Sequence, residues 1–222
     1  MRFDERILNE LVDSFGKLLL AGLKVSMPLT IAAFSTGLII ALLVALAQIA
    51  KVPILRHLVR VYVWIIRCTP MIVQLFIVYF GLPGIGITLN SFTSAWFVMS
   101  LSIGAYCSET VRAAILSVPV GQLEACYCDG MTFWLAMIHV ILPQALRTAF
   151  PPLSNSIIGL VKDTSLAYSV ALVEILATAQ RIAARTYDYF WLYMEAGVIY
   201  LIFCSILTLI QNKAEKALER RR

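Results

Sequence analysis

Long apolar segments separated by short polar ones dominate the chain. Five of these segments have the length and composition of membrane-spanning helices. They lie at 18–49, 58–81, 95–116, 132–161 and 190–210. Prolines and glycines interrupt several of them, which membrane helices tolerate where nearby groups satisfy the freed backbone atoms. The pattern therefore predicts an all-α polytopic membrane protein, with about five transmembrane helices in a single domain over residues 1–222.

The composition agrees with a membrane protein and excludes an ordinary soluble domain. The chain has 222 residues, of which 60% are hydrophobic and 14% are charged, whereas a soluble domain carries about 25% charged residues. The net charge of +5 does not require nucleic acid, because basic residues of membrane proteins collect in cytoplasmic loops. The two histidines are far apart, and the five cysteines include no Cys-x-x-Cys pair. We therefore predict no metal site, and cysteines that act as small buried apolar residues.

The distribution of basic residues predicts the orientation of the termini. The polar segment 82–94 has none, so we expect it outside, whereas the loop 50–57 with its flank and the C-terminal tail 211–222 are basic and belong inside. The N-terminus is then outside, the C-terminus is cytoplasmic, and the segment 162–188 is outside. The inner basic residues of that loop and tail are Lys51, Arg56, Arg60, Lys213, Lys216, Arg220, Arg221 and Arg222.

Two short helices are predicted outside the spans. One lies between Pro119 and Gly130, since proline suits the first turn of a helix and glycine adopts the left-handed conformation that ends one. It is too short to cross a membrane, so it lies along the inner surface as a plain linker or a docking element, and Thr132 caps the next helix. The other, 172–184, is amphipathic and lies on the outer face, as an ordinary surface helix or a contact for an outer partner.

The segment 119–143 resembles the EAA loop of ATP-binding-cassette (ABC) importer permeases. Glu124-Ala125, Gly130 and Ile141-Leu142-Pro143 carry the resemblance, with Cys126 at the position of the second alanine. It implies a coupling helix that docks on a cytoplasmic ATPase subunit. No Gly-x-x-x-x-Gly-Lys-Ser/Thr loop for phosphates occurs in this chain, which agrees with a separate ATPase. The coupling residues implied by the resemblance are Glu124, Ala125, Gly130, Leu142 and Pro143.

The resemblance extends over residues 22–212. Arg67-Cys68-Thr69-Pro70 with Gln74, Ala105-Tyr106 with Glu109, and the segment 151–167 are similar, in the same order, to segments of polar amino acid permeases. The segment 151–167 looks most like that of cystine importer permeases, with glutamine, glutamate, arginine and histidine permeases close to it. This implies a type I ABC importer transmembrane domain in the bacterial cytoplasmic (inner) membrane.

The resemblance also implies partners. The chain would pair with a second permease copy, identical or a sister subunit, and would contact membrane lipid but no nucleic acid. Two ABC ATPase subunits would hold ATP and magnesium, while this chain would bind no cofactor and catalyse no reaction. An amino-acid-binding protein would dock outside.

Polar residues within the apolar segments are the candidates for a solute path. An ionisable side chain inside a span is costly unless it faces a cavity or a partner. Candidates of this kind are Arg67, Gln74, Glu109 and Asn155.

An amino acid needs hydrogen-bond donors for its carboxylate and an acceptor for its ammonium. Lys162, Thr164 and Ser165 suit the first role, and Asp163 or Glu109 suits the second. Structural roles remain open: Arg67 and Glu109 as an ion pair within the membrane, and Lys162 and Asp163 as a pair that anchors a helix end.

Two other classes of function also remain open at this point. One is an ion- or proton-coupled amino acid carrier, in which Glu109 and Asp163 would be proton sites. The other is a membrane scaffold that transports nothing. The aromatic residues of 187–193 fit an interfacial belt rather than a binding cage. The function we expect is that of the transmembrane subunit of an ATP-driven importer, with L-cystine as the first candidate for its substrate.

Overall fold

The computed structural model describes residues 5–50 and 52–219. Of the residues that orient the chain, Lys51, Arg220, Arg221 and Arg222 lie outside the described residues. The described residues form helices joined by turns and short loops, without a β-strand. The predicted all-α fold class is confirmed.

Ten α-helices occur in the described part of the chain. In chain order they are α1 (Glu5–Ala21), α2 (Met27–Ile49), α3 (Pro53–Cys68), α4 (Met71–Phe76), α5 (Ser91–Leu116), α6 (Val120–Cys128), α7 (Phe133–Ala136), α8 (Leu142–Asp163), α9 (Ile175–Thr186) and α10 (Tyr189–Glu219). The π-turns are Gly22–Ser26, Ile77–Gly81 and Met137–Ile141, and the 3-10 segments are Leu82–Ile85 and Thr164–Val170.

Within the described residues, 3 helical segments are long and apolar enough to cross a membrane: Glu5–Ile49, Phe133–Val170 and Tyr189–Leu218. A fourth is obtained only if α3 and Met71–Ile85 are counted together across a sharp bend. The predicted segment 58–81 is therefore wrong as one straight helix. The break falls at Thr69-Pro70 because proline lacks an N–H and disfavours a helical conformation at the preceding residue.

Helix α5 contains the predicted segment 95–116, although it is not among the segments both long and apolar enough to cross a membrane. It is 26 residues long, which suffices to cross a membrane, and it carries several buried serines. Ser108 is fully buried, and its hydroxyl donates to the carbonyl of Ala105 at 2.8 Å. Small polar residues of this kind are typical of membrane helices that pack closely against other helices. The serines that lower the hydropathy of α5 are thus accommodated by burial.

The first helix begins earlier than predicted. The hydrophobic pattern placed its start near Leu18, whereas α1 begins at Glu5 and continues through a π-turn into α2. This added part is amphipathic, with Ile7 and Ser14 buried between charged positions. Arg6 forms an ion pair with Asp188 at 2.7 Å, just before α10 begins. The charged residues made this part look like a polar segment in the sequence. In the structure its apolar side packs against α9.

Each π-turn is followed by an apolar residue and then a proline. The pairs are Met27-Pro28, Leu82-Pro83 and Leu142-Pro143. Proline cannot donate an N–H, and its ring collides with the carbonyl four residues earlier. In each pair the first residue donates its N–H five residues back, to Gly22, Ile77 or Met137. The wider turn lets the chain continue in a helical conformation past the proline.

The chain divides into two compact units, each made of three pieces of sequence. The first unit is the described part of Met1–Ser35, Thr69–Met99 and Ile157–Leu209. Its core includes the buried side chains Leu18, Val161, Ile175, Ile199 and Phe203.

A buried acidic residue caps α9 in the first unit. Glu174 is fully buried and accepts a hydrogen bond from the backbone N–H of Ala177 at 2.7 Å. The hydroxyl of Tyr200 donates to its other oxygen at 2.5 Å. Burial raises the pKa of the Glu174 carboxyl above its ordinary value of 4.5, although these hydrogen bonds oppose the shift.

The second unit is the described part of Thr36–Cys68, Ser100–Ser156 and Ile210–Arg222. Its core joins α2, α3 and α5 through Val44, Val63 and Ala105. Gly104 permits this close packing. A Cβ atom there would lie 2.5 Å from Cγ2 of Ile40 and 2.8 Å from the hydroxyl oxygen of Tyr62.

We expect Gly104→Ala to lower the melting temperature of the detergent-purified protein. The added methyl group must displace Ile40 and Tyr62, and overpacking of this kind costs about 1–3 kcal/mol. Gly16→Ala is the control, since a Cβ there meets nothing within 4 Å and alanine favours a helix by about 0.5–1 kcal/mol. Equal melting temperatures for the two variants would contradict the packing described for Gly104.

We also expect Glu174 to give stability a pH dependence. Because its folded pKa is raised, its contribution is fully present below the unfolded pKa and is lost as pH rises through the folded pKa. Melting temperature measured from acidic to neutral pH should fall more steeply for the wild type than for Glu174→Gln, which keeps the oxygen that accepts from Ala177. Identical slopes would show that Glu174 does not titrate in this range.

Candidate functional site

The candidate coupling loop forms the short helix that the sequence predicts. Pro119 is extended, with a ψ of 133°, and α6 begins at the next residue. Gly130 has a positive φ of 75°, which glycine adopts without steric cost. Its N–H donates to the carbonyl of Tyr127 at 3.0 Å, and Met131 donates to Cys126 at 2.9 Å. The helix therefore ends where predicted, through a left-handed glycine.

Helix α6 packs on one side and is open on the other. Cys126 is buried, whereas Glu124, Ala125 and Gly130 are exposed. The packed side rests on the π-turn Met137–Ile141, which ends directly before Leu142 and Pro143. The structure thus brings the five coupling candidates into one hairpin, with Glu124 and Ala125 on its outward surface.

Two side-chain contacts hold this hairpin. Thr132 accepts a hydrogen bond from the N–H of Leu135 at 3.4 Å, so it caps α7 as predicted. The amide of Gln144 donates to Gln122 at 3.4 Å, which joins α8 to α6. Helix α6 is thus linked to the beginning of α8.

Glu109 and Arg67 do not form the ion pair considered from the sequence. The guanidinium of Arg112 donates to Glu109 at 2.8 Å, and the amide of Gln48 donates to its other oxygen at 3.0 Å. Arg67 instead lies over the ring of Tyr106, 5.3 Å from its centroid, as a cation–π contact. Arg112 replaces Arg67 as the partner because it stands one turn along the same helix.

Glu109 opens onto a cleft that sequence reasoning did not find. Gln48, Arg56, Arg60 and Arg112 line it with Glu109. The spacing of Arg56 and Arg60, four residues apart on α3, indicates one shared face. Their approach to α5 depends on the packing of three helices, which no local sequence pattern reveals.

Asn155 lies on an exposed part of α8. The amide of Gln211, on α10, donates to its oxygen at 3.3 Å. Nearby, the hydroxyl of Ser156 donates to the carbonyl of Pro152 at 3.0 Å. The two prolines thus lie within a continuous helix whose polar side chains bond locally and to α10.

Residues 162–165 surround the C-terminal end of α8. Lys162 is exposed, while Asp163 and Ser165 are partly exposed. Among the described residues Lys162 and Asp163 form no ion pair within 4.0 Å, so the anchoring pair considered from the sequence is absent. Thr164 is fully buried, and its hydroxyl donates to the carbonyl of Val161 at 2.7 Å. Lys162, Asp163 and Ser165 are therefore the members of this set with exposed side-chain surface.

Gln74 lies on α4, beside the turn that follows α8. Its amide donates to the hydroxyl of Thr69 at 2.8 Å. Helix α4 packs against Thr164–Val170, so the structure brings the elements of Gln74 and of Ser165 together in the first unit. Arg67, Glu109, Asn155 and the coupling hairpin belong to the second unit.

Comparison with known proteins places most of the chain in one family. Residues 20–221 match the family described as binding-protein-dependent transport system inner membrane component. The L-cystine transport system permease protein TcyB of Bacillus subtilis (strain 168) is 48% identical over 208 residues, which are 93% of this chain and 89% of that protein. The probable amino-acid ABC transporter permease protein PatM of Vibrio harveyi is 36% identical over 223 residues, 99% of this chain and 98% of that protein.

Solved structures share the fold. The crystal structure of an amino acid ABC transporter with histidines superposes with a TM-score of 0.85 at 29% sequence identity, over 98% of this chain and 100% of that one. An inward-facing structure of the MetNI methionine ABC transporter gives a TM-score of 0.74 at 19% identity, over 97% of this chain and 99% of that one. The second match bears on the fold alone.

These matches confirm the resemblance to ABC importer permeases and the type I importer fold that the resemblance implied. They also agree with a subunit that lies in the membrane and is not itself an enzyme. The chain belongs to the family of binding-protein-dependent transport system inner membrane components.

Proposed function

We propose that this chain is the permease of an importer for L-cystine. The observation that carries the proposal is the 48% identity with TcyB over 93% of the chain. Other relatives include the probable glutamine ABC transporter permease GlnM of Bacillus subtilis (strain 168), at 33% identity over 86% of the chain. The lower identity with GlnM makes glutamine the second candidate for the substrate.

The partners follow from the permease role. ATP and magnesium would be held by separate ABC ATPase subunits, a binding protein would deliver the amino acid, and a second permease would complete the path. The exposed side of α6, with Glu124 and Ala125, supports docking of an ATPase subunit there. The hydrogen bond between Gln122 of α6 and Gln144 of α8 supports transfer of that subunit's motion into a spanning helix.

We orient the chain with its N-terminus outside and its C-terminus in the cytoplasm. The exposed Lys213 and Lys216 near the end of α10 support this orientation, because basic residues favour the inner side. Helix α6 would then face the cytoplasm, where ATP is available. The end of α8 and helix α9 would face outward.

The end of α8 has the chemistry to receive an amino acid. Lys162 offers an ammonium group to a carboxylate, and Ser165 offers a hydroxyl. Asp163 offers a carboxylate to the ammonium of the solute, and the negative end of the helix dipole favours the same group. Each end of cystine carries an ammonium and a carboxylate group. A site with both a carboxylate and hydrogen-bond donors therefore suits either end. These roles also cover glutamine and other polar amino acids.

We expect cystine to activate the complete transporter. Liposomes holding this permease, its ATPase subunits and its binding protein should hydrolyse ATP faster with cystine than with glutamine, glutamate, arginine or histidine, and should accumulate cystine. Uptake should persist when an uncoupler removes ion gradients. Stimulation by another amino acid would make that amino acid, and not cystine, the substrate. Uptake that needs an ion gradient and not ATP would favour an ion-coupled carrier.

We expect Gly130→Val to uncouple hydrolysis from transport. Valine strains the left-handed position by about 1–2 kcal/mol, so α6 would lose its defined end while the exposed site leaves room for the side chain. Uptake per ATP hydrolysed should fall by about tenfold.

Gly121→Val provides the matched control. It adds the same side chain to α6, where a Cβ meets nothing within 4 Å and the φ is ordinary. Assembly with the ATPase, measured by co-purification, should be retained in both variants. Normal uptake per ATP in Gly130→Val would remove Gly130 from the coupling role.

A further inference from the structure

An arginine-rich cleft lies where several helices of the second unit end or begin. It has a volume of about 350 Å³, within the range of small-ligand sites. Gln48 comes from the end of α2, Arg56 and Arg60 come from the first turns of α3, and Arg112 comes from the last turns of α5. A second hollow, of about 370 Å³, adjoins the same two arginines of α3 and adds His57.

The charges of the cleft are unbalanced. Glu109 is the carboxylate among the lining residues, and Arg112 and Gln48 already bind both of its oxygens. Among the described residues Arg56 and Arg60 have no ion pair and no side-chain hydrogen bond. Two guanidinium groups on one helix face repel each other, and a bound anion would relieve this. Guanidinium groups bind phosphate through paired N–H donors.

A buried polar atom of one lining residue adds a second requirement. Gln48 is only 8% exposed, and its carbonyl oxygen, Oε1, is buried with no hydrogen-bond partner among the described residues. A buried acceptor without a donor is unfavourable. The ionised phosphodiester of a lipid has no O–H donor and does not meet this need, whereas a hydroxyl group on the same headgroup does.

The surface beside the cleft is apolar and open. Trp64 follows Arg60 by four residues, hence on the same face of α3, and is 65% exposed. Leu116, which lines the cleft, is also an exposed apolar residue. Because the apolar helix α2 ends at Ile49, the cleft lies at the level where a spanning helix leaves the membrane. Arginines beside apolar surface at this level match an anionic phospholipid.

We propose that this cleft binds the headgroup of an anionic phospholipid that carries a hydroxyl, with phosphatidylglycerol as the model ligand. The phosphate lies between Arg56, Arg60 and Arg112. A glycerol hydroxyl donates to the unpartnered oxygen of Gln48, and an acyl chain lies along Trp64. The site is separate from the candidate residues at the end of α8 and does not depend on which amino acid is carried.

The test is competitive lipid binding to the purified transporter complex, measured by native mass spectrometry. With equal amounts of phosphatidylglycerol and phosphatidylcholine, the wild type should prefer phosphatidylglycerol. Replacing both arginines, as Arg56→Gln with Arg60→Gln, should reduce that preference by about thirtyfold, from the typical contribution of two basic residues near a lipid surface.

A matched pair of arginines controls for net charge. Arg181 and Arg185 are also four residues apart and exposed, on α9. Replacing both with glutamine should leave the preference unchanged. Equal loss in the two double variants, or no loss in the α3 variant, would overturn the site. Arg56→Lys with Arg60→Lys keeps the charge and should retain most of the preference, which separates loss of binding from misfolding.

Two further arms test the ligand itself. Phosphatidylethanol has the same charge without a free hydroxyl, so the wild type should prefer phosphatidylglycerol over it and Gln48→Leu should not. Inorganic phosphate and glycerol phosphate should fail to displace the lipid. Displacement by either would make this a site for a soluble anion and overturn the lipid assignment.

Loss of the ATPase subunits from the α3 variant, with lipid binding intact, would assign the arginines to a protein contact and overturn the proposal.

Discussion

Backbone N–H and C=O groups within an apolar layer must find their partners inside the chain. Four of the prolines show how the protein meets this constraint. Pro28, Pro83 and Pro143 are each preceded by a π-turn, which removes the collision with the carbonyl behind the ring. Thr30 adds a hydroxyl that donates to the carbonyl of Ser26 at 2.8 Å. At Pro70 the chain has no such turn before the ring, and α3 ends instead.

These adjustments determine where the functional candidates lie. The π-turn before Pro143 is the surface on which α6 packs, so the coupling hairpin depends on the same proline that closes the loop motif. The break at Pro70 begins α4, which carries Gln74 to the turn after α8. Breaks in helices are often found at functional sites, because they place side chains that a regular helix would keep apart.

The sequence predicts the all-α class, the α6 helix, its glycine stop and the cap at Thr132, because each depends on residues close together along the chain. The added helix at Glu5 was missed because its charges hide an apolar side only a few residues wide. The partner of Glu109 and the cleft around Arg56 depend on side-chain reach and on three helices packing together. Pro70 indicates a possible break in the sequence. The apolar residues on both sides of it nevertheless led to the prediction of one continuous span.

A π-turn contains one more residue than an α-helical turn of similar rise, so it corresponds to a single insertion absorbed without a loop. Each residue of an α-helix turns the next by about 100°, and the extra residue therefore changes which side chains share a face beyond it. In α8 this resets the faces of all residues that follow Met137–Ile141. An alignment of this segment with a helix that lacks the turn needs a gap of one residue, and the face assignments taken from that helix would be rotated.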